Sequence, residues 1–273
     1  MNKNMTMRTA ALAIALLATY STSHAAPSDY TVVGASSGNP VVVGPATFGD
    51  THFHGPEGAP GLGSTGSSNR ISLESITLDP PGYFGFSTYQ DSTTLSGHEF
   101  RRYQVTGFVN DPNHPTVSTT LNWYKVPTNN GIQAYYGTWT RPATGSTSQQ
   151  NQAWFVGDKT GTAVPTVNTT YVATGIVNTS STTASSPILV SGTLGLDHGF
   201  APANLYGTLS DGTNNLTVDV DISGTAFSGT SSFNSATGTA SGEFFSSGTN
   251  SSIAGIAVGT GGSYHAAFGG IKQ

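Results

Sequence analysis

The chain has 273 residues, of which 36% are hydrophobic and only 8% are charged, and its formal net charge at pH 7 is −5. Fourteen Asp and Glu outnumber nine Lys and Arg, which argues against binding to nucleic acid or to anionic membranes, because both require a basic surface. No Cys is present, so disulfides are excluded and a metal would need His, Tyr, carboxylate or backbone oxygen ligands.

The first 25 residues have the pattern of a secretory signal peptide. Lys3 and Arg8 supply the positive charge, residues 10–18 form an apolar run too short to span a bilayer, and the stretch SHA that ends at Ala25 resembles a cleavage site. We expect cleavage after Ala25. All three Met lie within this segment, so the mature chain would contain no sulfur.

The composition changes near residue 160 and predicts two domains, 26–160 and 165–273. The first domain contains all three Trp, and seven stretches in it are typical of strands. Its loops at 49–69 and 109–116 are long for a compact domain, and such loops often carry function. The predicted strands cover residues 30–34, 70–78, 83–89, 100–109, 116–126, 132–139 and 152–157.

The second domain is rich in Ser, Thr and Gly and contains eight evenly spaced strand-like segments. Within residues 215–223, Leu216, Val218 and Val220 alternate with polar residues, which is the pattern of a strand with one buried face. Eight antiparallel strands can close into a barrel filled by side chains. The sequence therefore predicts an all-β protein, with an N-terminal β-rich domain followed by an eight-stranded antiparallel C-terminal barrel.

Four histidines in the first domain are candidate metal ligands. His52 and His54 lie two residues apart in a loop flanked by Gly and Pro, without the further ligands of a zinc site, so a polar loop is the alternative interpretation. His98 precedes a predicted strand and His114 lies in a loop with two prolines. Each of these two is, on its own, also compatible with a purely structural role.

The remaining polar residues do not form a catalytic pattern. No strand–turn–helix context surrounds a serine, and the carboxylates are scattered along the first domain, so an enzyme is not expected. His198 and His265 belong to the predicted barrel and are interpreted as structural. Because His265 alternates with Tyr264 and Ala266, we expect its side chain to point out of the barrel.

Short motifs in the second half resemble the handle-and-barrel module of transferrin-binding protein B. They are more similar to those of the small soluble cargo proteins of Slam-dependent (type XI) secretion. The stretch AYYGTW extends the resemblance upstream, whereas residues 26–133 match only loosely. The motifs occur in the order AYYGTW (134–139), WFVGDKTGTAVP (154–165), YVATGI (171–176), LVSGTL (189–194), NLYGTL (204–209), SGTAFSG (223–229), ASGEFF (240–245), IAGIA (253–257) and AAFGGIKQ (266–273).

This resemblance implies a function. Lipoprotein members of the group carry a lipidated Cys, which this chain lacks, so the chain resembles the soluble hemophilin-like hemophores. The resemblance implies a secreted, monomeric carrier of haem b without enzymatic activity, exported through the periplasm of a Gram-negative bacterium by a Slam-type translocon. A TonB-dependent outer-membrane receptor would take the haem from the N-terminal handle or clamp domain.

Under that interpretation, His54 and His98 are the first choices for the haem iron ligands, with His52 and His114 as alternatives. Iron in a protein without sulfur can be held by His or Tyr. A haem site also needs an apolar slot and groups that meet the propionates, for which Arg is well suited. The candidate pocket residues are Phe53, Tyr83, Phe84 and Tyr136, and the candidate propionate contacts are Arg101 and Arg102, with Arg70 as a further possibility.

A second function on the same scaffold stays open. The chain could be a secreted adhesion or host-protein-binding module, with the loops of the first domain as its binding surface. A hemophore purified from haem-supplied cells would show an intense Soret band, whereas an adhesion module would not.

Overall fold

A computed structural model describes residues 30–38, 41–47, 57–64, 70–76, 88–106, 120–126, 134–142, 149–182, 186–199, 201–246 and 251–273. The predicted signal peptide lies outside these residues. The described residues form seventeen strands, one four-residue helix and one short 3-10 turn. No helix among them has the length and apolar character needed to cross a membrane.

Nine strands precede the barrel and form two sheets. Six of them build a six-stranded sheet in the order β1-β9-β8-β7-β6-β5, and three short ones build a three-stranded sheet in the order β2-β3-β4. Helix α1 (Leu73–Ile76) directly follows β4. The strands are β1 (Val32–Ser36), β2 (Val41–Pro45), β3 (Pro60–Ser64), β4 (Ile71–Ser72), β5 (Thr88–Leu95), β6 (His98–Thr106), β7 (Thr120–Lys125), β8 (Ala134–Pro142) and β9 (Gln149–Asp158).

The remaining eight strands form a closed antiparallel barrel in which each strand pairs with its neighbours in sequence and β10 pairs with β17. This confirms the predicted all-β fold with an eight-stranded barrel. The strands are β10 (Thr169–Thr179), β11 (Ile188–Asp197), β12 (Asn204–Ser210), β13 (Asn215–Ser223), β14 (Ala226–Phe233), β15 (Ala236–Phe245), β16 (Ser252–Gly259) and β17 (Tyr264–Lys272).

Several elements before the barrel differ from the sequence prediction. Strands β2 and β3 were not predicted, and β3 lies inside the predicted loop 49–69. Of the predicted strand 70–78, residues 70–76 are described and contain a two-residue strand followed by α1. Of the predicted strand 83–89, Thr88 and Tyr89 are described and belong to β5, and residues 83–87 lie outside the described residues. The PGLGS sequence of β3 has no alternation, and its pairing with β2 and β4 supplies the structure that its own sequence does not indicate.

Three apolar clusters show how the layers stack. One fills the barrel, one lies between the barrel wall and the six-stranded sheet, and one lies between the two sheets. The central strands of the six-stranded sheet are therefore covered on both faces. The second cluster contains Phe100, Tyr136, Phe155, Val172, Ile176, Phe245 and Ile271, and the third contains Val41, Leu62, Tyr103, Leu121, Trp123, Trp139 and Trp154.

The barrel interior is filled by aromatic rings that lie over glycines. The centroids of Phe227 and Phe244 are 5.6 Å apart, and those of Phe227 and Phe268 are 6.2 Å apart. A Cβ at Gly255 would lie 2.9 Å from the Phe268 ring. Glycine at this position leaves the space that the ring occupies. This explains why a glycine, which otherwise weakens a strand, occurs inside β16.

An aromatic ring also packs over a glycine where the six-stranded sheet contacts the barrel. The ring of Tyr136 lies against Gly269 on the outer wall, where a Cβ would overlap the ring. The Tyr136 hydroxyl forms a hydrogen bond with Thr174 Oγ1 on β10. Both side chains are buried, so the wall of the barrel and the six-stranded sheet are joined by a close-packed apolar surface with an internal polar contact.

His265 ties the first strand to the barrel. Its side chain points out of the barrel as predicted, and its Nδ1 lies 2.9 Å from Ser37 Oγ. Ser37 is itself bound to Ala153, because its N–H donates to the Ala153 carbonyl at 2.8 Å and the Ala153 N–H donates to Ser37 Oγ at 2.9 Å.

Burial lowers the pKa of His265, and no charged residue contributes to this shift. The neutral ring, accepting the Ser37 hydroxyl hydrogen, suits this site.

We predict that His265 makes the fold less stable in acid. Above about pH 6.5, the ordinary pKa of histidine, the ring is neutral in the folded and the unfolded chain. Below that pH the unfolded chain binds the proton first, so the free energy of unfolding decreases until the pH has passed the lower pKa of the folded state. His265→Gln should remove this part of the decrease. Urea denaturation of both proteins between about pH 7.5 and 5 measures the difference, and identical pH profiles would contradict the prediction.

Candidate binding surface

Strands β5 and β6 form a hairpin at the edge of the six-stranded sheet, and this hairpin carries three of the predicted site residues. Its turn residues Ser96 and Gly97 have φ values of 48° and 83°, as a tight two-residue hairpin turn requires. His98 directly follows the turn as the first residue of β6 and is half-buried. Arg101 and Arg102 lie further along the same strand.

The two arginines point to opposite faces of the sheet. Phe100 on β6 is part of the cluster between sheet and barrel, and Tyr103 is part of the cluster between the two sheets. Since side chains alternate along a strand, His98 and Arg102 share the barrel-facing side with Phe100, whereas Arg101 lies on the side of Tyr103. Arg101 and Arg102 therefore cannot hold the propionates of one haem from the same face.

Arg102 is engaged within the protein. Only 11% of its side chain is exposed. Its Nη2 donates to Asp91 Oδ2 at 2.7 Å and its Nε lies 3.1 Å from Asp91 Oδ1. Its Nη1 donates to Asn122 Oδ1 at 3.2 Å, which also accepts from Gln104 Nε2 at 2.8 Å. Burial, with a smaller effect of the Asp91 carboxylate, raises the pKa of the neighbouring Tyr124 to about 12. This arrangement is typical of a structural ion pair.

Arg101 is the more accessible of the two. It is 44% exposed, and its Nε donates to Glu99 Oε2 at 3.0 Å, with Glu99 46% exposed. An exposed pair of this kind contributes little to stability. Its guanidinium also interacts with the Tyr103 side chain, and its exposed part is accessible to an anionic or carbonyl group of a ligand.

An aromatic row runs beside Arg101 on the same face. Tyr89 lies edge-on to Tyr103 with centroids 6.0 Å apart, and Tyr103 stacks on Trp123 at 5.9 Å. Tyr89 is 39% exposed, whereas the other two rings are buried. We call the exposed side chains of Tyr89, Glu99 and Arg101 the hairpin surface. Tyr89 is not among the site residues predicted from the sequence, although a single aromatic residue in the otherwise polar stretch before the Ser-Gly turn was a usable signal.

Tyr136 is the one predicted pocket residue that the structure describes. It is fully buried between sheet and barrel, and this burial raises the pKa of its hydroxyl well above the ordinary value. The other predicted pocket residues, Phe53, Tyr83 and Phe84, lie outside the described residues.

The iron-ligand assignment stays a prediction. His52, His54 and His114 lie outside the described residues, so His98 is the candidate ligand with a described position. Tyr89 and Tyr103, the neighbouring rings of the hairpin, lie on the opposite face from His98. Within the described segments, no group of three or more His, Cys, Asp or Glu side chains could hold a metal ion.

A second surface lies on the barrel wall at β12 and β13. It is a groove of about 790 Å³ in which Tyr206, 46% exposed, stands beside Asp219 and Asp221. The Asn204 side-chain amide donates to Asp219 Oδ1 at 2.5 Å. Because the charged residues lining this groove, which include Asp197, are all acidic, it would repel the propionates of haem. Of these two surfaces, the hairpin surface is the one that presents an exposed cationic side chain, Arg101.

Comparison with known proteins supports the fold. No protein-family model matches the chain. A solved structure of HpuA from Kingella denitrificans in complex with human haemoglobin is 16% identical and has a TM-score of 0.55, with 90% of this chain and 88% of that chain covered. The apo structure of the haemoglobin receptor HpuA from the same organism has a TM-score of 0.52 at 16% identity, with 90% and 87% covered. At this identity the likeness shows a shared fold.

The different surroundings of the two arginines lead to a stability prediction. Arg102→Met should lower the free energy of unfolding by about 1–3 kcal/mol, because it removes charge-assisted hydrogen bonds from a largely buried site. The matched control Arg101→Met, one residue away on the exposed face, should change it by less than about 0.5 kcal/mol. Urea denaturation measures both, and equal effects of the two substitutions would show that the described ion pair does not stabilise the sheet.

Proposed function

We propose that the chain is an exported binding protein, without enzymatic activity, that serves iron acquisition by binding a haem-carrying host protein. Haemoglobin is the first candidate. The observation that carries the proposal is the fold shared over 90% of the chain with HpuA, which was solved in complex with human haemoglobin. A location at the cell surface or outside the cell belongs to this proposal, in keeping with the predicted signal peptide.

The hairpin surface has the chemistry of a protein-binding site. Tyr and Arg are enriched in protein interfaces and among the residues that dominate binding energy, and Tyr89 and Arg101 are both exposed on one face of the hairpin. A specific interface buries about 800 Å² per partner, so further contacts are required.

Binding to human haemoglobin tests the proposal directly. The immobilised chain should bind haemoglobin in a saturable manner in surface plasmon resonance. Tyr89→Ala and Arg101→Ala should each weaken binding about tenfold, as loss of about 1.4 kcal/mol implies. The control Tyr206→Ala removes another exposed tyrosine, from the barrel groove, and should leave the affinity unchanged. Absence of binding by the unmodified chain would contradict the proposed function.

Direct capture of haem b is the second candidate function. The observation that favours it is the position of His98, which is half-buried at the tip of the hairpin. The exposed Arg101 lies on the opposite face of the sheet. In this version the chain is a monomeric hemophore that a Slam-type translocon exports and that passes haem to a TonB-dependent receptor. His54 would be the first ligand and His98 the second.

Haemin titration distinguishes the two functions. A hemophore should show a Soret band with haemin alone, and His54→Ala or His98→Ala should shift its maximum or speed haem loss. His198→Ala should have no effect, because the His198 ring on the barrel is hydrogen bonded to the Pro165 carbonyl. Binding of haemoglobin without any haemin signal would support the first candidate and exclude the second.

A further inference from the structure

An edge strand borders a cleft between the six-stranded sheet and the barrel. Strand β1 is an outer strand of that sheet, and in the described part of the chain it pairs only with β9. Beside it lies a cleft of about 630 Å³, lined by β1 and β2 on one side and by β14 and β15 on the other. This volume is in the range of cavities that bind ligands.

The hydrogen-bond pattern shows which backbone groups of β1 are used. The Ser37 N–H donates to the Ala153 carbonyl, and the Lys159 N–H donates to the Thr31 carbonyl, each at 2.8 Å. In an antiparallel pair, residues that bond to the neighbouring strand alternate with residues that do not. The odd-numbered residues of β1 therefore bond to β9, and the even-numbered residues turn their N–H and C=O groups the other way.

Val32 and Gly34 are the even-numbered residues that line the cleft. Their outward backbone groups have no hydrogen-bond partner among the described residues. Two donors and two acceptors thus stand along the cleft at the two-residue spacing of a strand, about 6.7 Å. This row has the chemistry to pair with the backbone of another extended segment, as in the addition of a peptide strand to a sheet edge.

The walls of the cleft define which segment fits. The side chains of Val33 and Ala35 continue the contact between sheet and barrel. Small side chains, Ser228 and Ser241, line the barrel side, and Val43 and Pro45 line the β2 side. The one ionisable residue of the lining, Glu243, is paired with Lys159, with Nζ 3.5 Å from Oε2. The cleft therefore suits an uncharged strand with small residues toward the barrel and apolar residues toward β2.

We propose that this cleft binds an extended, uncharged peptide segment of a partner protein, which adds to the outer edge of β1 as a seventh strand of the sheet. The added strand would continue the sheet between the same two neighbours, the barrel and β2. A second folded copy of the chain is a poor occupant, because the barrel and β2 flank the edge on both sides. Since β1 and β5 are opposite edges of the sheet, this site is separate from the hairpin surface and independent of the proposed function.

A capped peptide of alternating valine and serine, labelled with fluorescein, is the probe. Its fluorescence anisotropy should rise in a saturable manner on titration with the full chain. The same peptide with alternate amides N-methylated along one edge should not bind, because it cannot form the backbone ladder. Hydrogen exchange followed by NMR should slow at the Val32 and Gly34 amides when the unmethylated peptide is bound. Absence of saturable binding, or equal binding of both peptides, would overturn the proposal.

Two variants locate the site. Val32→Pro removes one outward N–H without removing a bond to β9 and should weaken binding about five- to tenfold. Ser228→Arg fills the cleft from the barrel side and should abolish binding even if Val32→Pro fails to fold. The matched control Thr230→Arg, two residues further on the same face of β14 but outside the cleft, should bind as the unmodified chain does. Unchanged binding by Ser228→Arg, or a dimer of the peptide-free chain that Ser228→Arg dissociates, would overturn the proposal.

Discussion

The structure depends on the burial of one side of the barrel's outer wall. A closed barrel has no free strand edge, so the six-stranded sheet can attach to it only through side chains that point outward. Strands β10, β16 and β17 are accordingly buried on both faces over most of their length, whereas β12 and β13 alternate between buried and exposed residues. This asymmetry fixes where the sheet lies, and through the sheet it fixes where the β5–β6 hairpin and the β1 edge are presented.

The barrel could be predicted because its information is local. Each barrel strand pairs with the next strand in sequence, and in β13 the alternation of Leu216, Val218 and Val220 marks the inward face directly. The strands that are buried on both faces lack such alternation, and β17 is rich in Ala and Gly. Their even spacing and short motifs identified them as strands, but the sequence did not indicate that the sheet covers them.

The strands before the barrel were harder to predict, because the first of them pairs with a strand that is distant in sequence. Val32 pairs with Asp158, and β3 owes its extended form to neighbours on β2 and β4 rather than to its own residues. The candidate site was hard to predict for a related reason, because its contacts depend on which strands pair and in which register. The sequence places Arg101 and Arg102 side by side, whereas the strand separates them to two faces and gives Arg102 a partner, Asp91, on the adjacent strand. The alternation of side chains along a strand would have been enough to separate the two arginines. The pairing of Arg102 with Asp91 could be predicted only from the register of the hairpin.

The long separation between β1 and β9 also bears on the order of folding. Strands β5 to β9 are joined by consecutive antiparallel pairings, and the barrel likewise grows by neighbouring strands apart from its closure. The first strand must instead close a loop of more than a hundred residues before its contacts form, and such closures are the slow steps of β folding. In a chain that leaves a ribosome or a membrane pore with its N-terminus first, β1 emerges before the other described strands. It can form its pairing only after β9 has emerged. During that interval both edges of β1 are unpaired, the condition in which a strand is most open to pairing with the wrong partner.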